Sequence, residues 1–251
     1  MGNTWSRVLS VVRDYSCAGA ELLAETLWPV RCVLCETAGE LVCKSCRSSL
    51  VYIDQWLACP RCGAPYGWLQ CSECNSFTLS LLGLRELPYE ACVSVFPFHD
   101  EAARIVCAYK DAGEQDLADF MAYCIACAIP PEWIGSHSCV VFIPATRKAV
   151  LRRGFDHCKK LSECVARYLN LPYLHCLEST QVKDQRSLGV ADRFVNSQAR
   201  FSLVESCKGF DIILVDDVYT TGATLCAATQ CLREGGAKRV CCATFARVYG
   251  H

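Results

Sequence analysis

Long apolar runs are missing from this sequence. No stretch reaches about 18 consecutive uncharged apolar residues, the length a membrane-crossing helix needs, so no transmembrane segment is expected. An excess of either charge is missing too: 25 Lys and Arg stand against 26 Asp and Glu, a formal net charge of -1. That balance excludes a global basic field for nucleic acid and leaves only local patches for such contacts. Histidine is scarce, with 5 in the chain, and no Ser/His/Asp or Cys/His nucleophilic arrangement is legible. Low-complexity tracts are absent. Residues 1–29 lack the charge, apolar run and cleavage-site order of a signal peptide.

Cysteine, by contrast, is abundant. The 251 residues include 22 cysteines, and eight of them form four Cys-x-x-Cys pairs. The others lie scattered through apolar segments, as Cys124, Cys127, Cys241 and Cys242 do. Buried free cysteine packs as a small hydrophobe. The expectation is a chain of the reducing cytoplasm whose unpaired cysteines fill the core. With 52% hydrophobic and 20% charged residues the chain is globular, and its length suits one large domain and a small one.

Four segments follow from the patterning. Residues 1–29 read as an amphipathic N-terminal helix, with Val8, Val11, Val12, Tyr15, Leu22, Leu23 and Leu27 near helical spacing. Its expected role is packing on a neighbouring domain, with membrane-surface contact as the alternative. Met1-Gly2-Asn3-Thr4-Trp5-Ser6 matches the myristoylation pattern, which is short enough to arise by chance. Residues 30–75 hold all four cysteine pairs, and 76–90 read as a connector. From residue 91 to 251, strand-like runs at 91–96, 139–144, 211–216 and 239–246 alternate with helix-like runs at 101–110, 116–128, 156–169 and 222–234. Near-continuous apolar strands alternating with helices predict a parallel α/β sheet covered on both faces. Gly235-Gly236 predicts a left-handed end to the last helix.

The cysteine pairs are Cys32/Cys35, Cys43/Cys46, Cys59/Cys62 and Cys71/Cys74. Each Cys-x-x-Cys turn points two sulfurs at one ion, and two turns close a tetrahedral thiolate cage for Zn²⁺. Eight ligands suit two ions. The gaps suggest sequential pairing, with a crossed arrangement left open. Four thiolates per ion leave no coordination position for substrate, so the metal is expected to be structural.

The segment Val215-Asp216-Asp217-Val218-Tyr219-Thr220-Thr221-Gly222-Ala223-Thr224 ends an apolar strand in two acids and turns into a helix. Backbone N–H groups at a helix start cradle phosphate, and Gly222 permits close approach. Thr220, Thr221 and Thr224 add hydroxyl donors, and Asp216 and Asp217 can accept hydrogen bonds from ribose hydroxyls. Ligands of open α/β sheets bind at the carboxyl ends of strands, where this loop falls.

This ten-residue pattern resembles the phosphoribosyl-pyrophosphate signature of type I phosphoribosyltransferases. Leu27-Trp28-Pro29 ahead of Cys32 and Arg152-Arg153-Gly154-Phe155 sharpen it to a resemblance to the ComF family, the competence-associated, amidophosphoribosyltransferase-like proteins. The resemblance implies a type I phosphoribosyltransferase-like sheet behind a double zinc module. It also implies a site for phosphoribosyl pyrophosphate with Mg²⁺. Asp216 and Asp217 would be the catalytic acids, with Thr220, Thr221, Gly222, Ala223 and Thr224 on the 5-phosphate. Arg147, Lys148, Arg152 and Arg153 fall where the family places its pyrophosphate loop, although a solvated basic turn is the plainer reading of that run by itself. Asp156 and His157 stand where the family usually has Asn and Gln. Lys110 matches a family lysine, while a lone helix-end lysine commonly just complements the helix dipole. Residues 183–201, with Gln185, Arg193 and Asn196, resemble a family stretch that reads as a mobile lid or as a solubilising loop; Val195 replaces the cation often found there.

Two functions follow from the resemblance. One is transfer of ribose 5-phosphate to a nitrogen acceptor that the sequence does not identify. The other is a ligand-sensing or non-enzymatic competence role in handling single-stranded DNA with the uptake machinery. Trp56, Tyr66 and Trp68 could stack bases, yet residues 1–75 are not broadly basic. Oligomeric state is not legible.

Overall fold

The computed structural model describes residues 29–81, 83–180 and 200–248. The N-terminal helix expected over residues 1–29 lies, apart from Pro29, outside the described residues, as do the lid residues Gln185, Arg193 and Asn196. Those described fall into two compact units that divide between Ser49 and Leu50. The sequence groups both sets of cysteine pairs at 30–75. The structure puts the first set in one unit and folds the second into the same body as the α/β sheet.

The smaller unit is a cysteine turn and a helix. An antiparallel bridge joins Arg31 to Ala38, and the backbone N–H of Cys32 donates to Thr37 O at 2.9 Å. Helix α1 (Lys44–Ser49) follows.

The larger unit begins with irregular chain and helix α2 (Ser76–Leu81). Strand β1 (Ala91–Pro97) leads to helices α3 (Asp100–Lys110) and α4 (Leu117–Ala128). Strand β2 (Ser138–Phe142) leads to α5 (Arg147–Arg153) and α6 (His157–Leu169). Short strands β3 (Tyr173–Leu174), β4 (Leu177–Ser179) and β5 (Phe201–Leu203) precede the long β6 (Asp211–Tyr219). Helix α7 (Ala223–Glu234) and strand β7 (Arg239–Arg247) complete the order.

The sheet has five strands in the order β1-β7-β6-β2-β3, and all its pairs are parallel. Parallel strands need crossover helices, which cover both faces and explain why β2, β6 and β7 are apolar almost throughout. Helices α4 and α6 pack on each other, α4 also on β1 and β7, and α6 on β2 and β6. Helix α7 packs on β6 and β7. Its Leu225, Ala228 and Leu232 share one apolar cluster with Val141, Ile212 and Leu214. Phe96 and Phe245 add a ring contact at 4.9 Å. Burying each such side chain contributes roughly 1.5–3 kcal/mol, which is what holds the layers together. The polar pair Ser94 and Thr244 survives in this core by bonding to itself at 2.8 Å across β1 and β7.

The strands and helices expected between residues 91 and 251 are all present within a few residues. Most of the scattered cysteines fill the core as expected: Cys92, Cys124, Cys139, Cys158, Cys176, Cys207, Cys226, Cys241 and Cys242 are buried, whereas Cys127, expected among them, is exposed on the outer face of its helix, as is Cys107. Gly236, with φ of 90°, makes the left-handed end of α7, one residue after the right-handed Gly235. Residues 76–90, read as a connector, contribute Leu79, Leu87 and Tyr89 to the core. Among the described residues no helix is long and apolar enough to cross a membrane.

Candidate functional site

Strand β6 carries the candidate site to the carboxyl edge of the sheet. Its register with β2 ends at Val215 opposite Phe142, so Asp216 and Asp217 project beyond the end of β2. Both acids are buried, at 9% and 2% exposure, whereas the sequence suggested a strand that stops at Asp216. The strand continues to Tyr219, paired with Arg247 of β7. Thr220 and Thr221 are exposed, and Thr224 is half-buried.

Gly222 opens α7 in the left-handed region, with φ of 77°. A side chain is excluded there twice over: the backbone conformation strains any L-residue, and a Cβ would fall onto the Tyr219 hydroxyl. The turn therefore closes tightly over Tyr219, and the first N–H groups of α7 stand outside the helix's own bonding ladder. Thr221 Oγ1 accepts from the Ala223 N–H at 3.4 Å.

Around the acids lies a network drawn from three helices. Lys110, the last residue of α3, sits 2.5 Å from Asp217 Oδ2. His157 Nε2 lies 3.3 Å from the same oxygen. Arg153 Nη1 is 3.2 Å from His157 Nδ1. Guanidinium groups can only donate, so Nδ1 accepts and the imidazole proton resides on Nε2, facing Asp217. Burial, followed by the charges of Lys110 and Arg153, holds the His157 pKa down at about 3, so the ring is neutral at pH 7. Tyr109 donates to the His157 carbonyl at 2.6 Å and fixes the start of α6.

Asp216 has different company. The Cys158 thiol donates to its Oδ1 at 3.1 Å, and the Asp217 N–H donates to the same atom at 2.9 Å. Burial pushes the Asp216 carboxyl up to about 6, against the downward pull of the Cys158 thiol and Lys110. One acid is thus locked into an ion pair, and its neighbour is ionised at pH 7 without an ion-pair partner among the described residues.

The four cations of 147–153 do not form a loop. They lie on α5, with Thr146 as N-cap accepting from Ala149 N at 3.3 Å. Arg147 and Lys148 occupy its first turn and Arg152 and Arg153 its last, about 7 Å further along the axis. Only the latter pair lines the open cleft of 610 Å³ with Lys110, Asp111, Ala112 and Gly113. Asp111 Oδ1 lies 3.5 Å from Arg153 Nε and 3.9 Å from Arg152 Nη2. Asp156 is a scaffold residue: it caps α6 through Lys159 N at 3.1 Å and accepts from Ala145 N at 2.9 Å. His157 and Cys158, at the heart of the network, carry no motif in the sequence. Their only mark is the departure from the family pattern at 156–157.

The cysteines assemble sequentially, which removes the crossed alternative. Cys32, Cys35, Cys43 and Cys46 form one group, and Cys59, Cys62, Cys71 and Cys74 another, with sulfurs within 4.8 Å of one another. Neighbouring sulfurs lie 3.6 Å apart in the first group and 3.5 and 3.7 Å apart in the second. A tetrahedron of thiolates at the usual Zn–S length of about 2.3 Å has edges of about 3.8 Å, so both groups could hold Zn²⁺ with little adjustment. The second is tied into the α/β body. Gly63, with φ of 74°, leaves no room for a Cβ against the Cys92 carbonyl of β1. Ile53 N donates to Val95 O at 2.8 Å, and Gln55 Nε2 donates to Ser94 O at 2.9 Å.

Comparison with known proteins agrees with this layout. Residues 150–249 match the phosphoribosyl transferase domain. Competence protein ComFC of Bacillus subtilis (strain 168) is 28% identical over 198 residues, covering 78% of this chain and 80% of that protein. Competence protein F of Haemophilus influenzae is 34% identical over 107 residues, covering 40% of this chain and 46% of that one. DNA utilization protein YhgH of Escherichia coli (strain K12) is 23% identical over 229 residues, covering 84% and 94%. With two four-cysteine groups set ahead of a phosphoribosyltransferase-type domain, the chain is similar over most of its length to the competence proteins of the ComF family.

Proposed function

We propose that the chain binds phosphoribosyl pyrophosphate with Mg²⁺ at the carboxyl edge of the sheet and transfers ribose 5-phosphate to a nitrogen acceptor. The observation that carries this reading is the buried acid pair leading directly into the Gly222 turn, with Lys110 and Arg153 beside it. Thr220, Thr221 and Thr224 and the first N–H groups of α7 bind the 5-phosphate. Asp216, ionised and without a cation partner among the described residues, accepts from the ribose hydroxyls. Lys110, Arg152 and Arg153 face the pyrophosphate, and Arg147 and Lys148 offer a second basic pair to it.

In the reaction a nitrogen lone pair attacks C1 of the ribose, the C1–O bond to pyrophosphate breaks, and pyrophosphate leaves with the bonding electrons. The attacking nitrogen gives up its proton to solvent. Positive charge grows on the ribose, and the Asp216 and Asp217 carboxylates favour it. The remote phosphate grip supplies positioning for this step. Mg²⁺ suits the carboxylate and phosphate oxygens gathered here and would neutralise the leaving charge. The two four-cysteine centres would hold structural Zn²⁺.

The test is calorimetric titration of the whole protein with phosphoribosyl pyrophosphate and Mg²⁺, then a screen of nitrogen acceptors for pyrophosphate release. Saturable binding that weakens as pH falls through about 6, where Asp216 takes up a proton, is expected. No heat of binding at millimolar ligand would overturn the reading.

A second reading rests on the relatives named as competence and DNA utilization proteins. On it, the chain works in the cytoplasm on incoming single-stranded DNA, and the sugar-phosphate site senses a ligand. Exposed Trp56, Tyr66 and Trp68 offer rings for base stacking. A steep salt dependence of single-stranded DNA binding supports this role, and absence of binding at low salt removes it.

A further inference from the structure

Arg247, at the end of β7, is the largest fully buried side chain among the described residues. Its Nη1 donates to the Cys62 carbonyl at 2.6 Å, and its Nη2 lies 3.8 Å from the Cys62 sulfur. Glu73 stands off at 4.0 Å. Nε has no acceptor among the described residues. A guanidinium stays charged in any protein interior, and taking it out of water is costly unless negative charge lies close by. One distant carboxylate is a weak partner. Four thiolates around a Zn²⁺ carry a net double negative charge at the position that Arg247 faces.

The other side of the same guanidinium lies on Tyr219, with its central carbon 3.8 Å from the ring centroid. The Tyr219 hydroxyl meets the Tyr89 hydroxyl at 3.2 Å and fills the space a Gly222 side chain would need. Tyr219 immediately precedes Thr220 and Thr221. One buried cation therefore touches the second cysteine centre on one side and the base of the phosphate-type loop on the other.

We propose that Arg247 is a positioning residue that couples the second four-cysteine centre to the Thr220–Thr224 loop. It acts as counter-ion to the metal-loaded thiolates and clamps Tyr219 under Gly222. Loss of the metal, or of Arg247, loosens the turn on which the phosphate grip depends. That the loop grips phosphate rests on the function proposed above; the coupling itself does not.

The test uses the full chain loaded with Zn²⁺ and two readouts that need no phosphoribosyl pyrophosphate. Chelator-driven release should show one of two Zn²⁺ ions leaving Arg247→Met about tenfold faster or more, as removal of a supporting partner does elsewhere, while the other leaves at the wild-type rate. Amide exchange over 219–226 should quicken in Arg247→Met and in Cys71→Ser, while β2 stays protected. Wild-type release rates and unchanged exchange at 219–226 would overturn the coupling. If either variant also loses protection in β2, the wild-type protein decides. Stripped stepwise of Zn²⁺, it should lose protection at 219–226 before β2, and simultaneous loss counts against the proposal. A wild-type protein that shows the coupling but binds no phosphoribosyl pyrophosphate would sink the site reading alone.

Discussion

The two cysteine centres share a motif and differ in what surrounds them. The first is held by contacts close in sequence: the Arg31 to Ala38 bridge, the Cys32 N to Thr37 O bond, and Cys43 N donating to the Cys32 sulfur at 3.4 Å. The second is held by partners far along the chain, with Cys92 against Gly63 and Arg247 on Cys62. Nearly the same ligand spacing serves as a local staple in one place and as part of a domain core in the other. Sequence spacing alone does not tell these apart, because it reports the ligands and not what packs around them.

Breaking each centre is the strongest test of that contrast. Cys62→Ser should lower the melting transition of the α/β body markedly while β2 keeps its protection below that transition, since part of a metal-binding free energy on the order of 10 kcal/mol is set against a domain stability of about 5–15 kcal/mol. Cys43→Ser should leave the melting transition of the α/β body in place. Calorimetric melts of the two variants check this, and equal damage would erase the distinction.

The neighbouring acids offer a second long-range and local pair. Asp217→Asn strands Lys110, whose charge it neutralises from the end of α3, and should destabilise by about 3 kcal/mol. Asp216→Asn removes a buried carboxylate held up at about 6 and keeps an oxygen for Cys158 and the Asp217 N–H. It should gain about 1–3 kcal/mol at pH 7. Both should lower pyrophosphate release about a hundredfold or more if the site is catalytic. Urea unfolding beside an activity assay separates the two effects.

Gly222→Ala tests the turn itself. Left-handed strain should cost about 1–2 kcal/mol, and displacement of Tyr219 should weaken phosphoribosyl pyrophosphate binding by more than the stability loss implies. Pairing it with Tyr219→Phe, which removes the crowded hydroxyl, should recover part of the affinity.

The smallest effect is in pH. His157 is held near 3 in the folded chain against an ordinary 6.5. The unfolded chain therefore binds more protons between those values, and this residue's contribution is lost as pH falls below 6.5. Asp216 acts oppositely: its raised pKa makes the folded chain the better proton acceptor between about 4 and 6, so its contribution improves with acid. The two offset each other in that window. His157→Gln should therefore remove a loss of up to about 1.4 kcal/mol per pH unit and leave a variant whose melting temperature rises on mild acidification.

Much of the fold was legible because it rests on local rules. Apolar runs at 139–144, 211–216 and 239–246 fit only a buried parallel sheet, and the Gly222 turn announced itself by type and spacing. The paired cysteines were equally plain. What escaped was set by tertiary contact. The basic run at 147–153 read as a loop because its charges masked a short helix whose cap is Thr146. His157 and Cys158 read as ordinary members of an amphipathic helix, and only the arrival of β6 beside them made them partners of the acids. Arg247 falls just past the strand expected at 239–246, and nothing near it in sequence hints that it is buried.

The cysteine-filled core has a practical consequence. Burial raises the thiol pKa of Cys92, Cys139, Cys158, Cys176, Cys226, Cys241 and Cys242, and only the thiolate attacks an alkylating reagent. Among the described residues away from the two four-cysteine centres, labelling of the native chain should therefore begin at solvent-facing Cys107 and Cys127. A protein this rich in sulfur should behave at the bench as though it held only a handful of reactive thiols, until it unfolds.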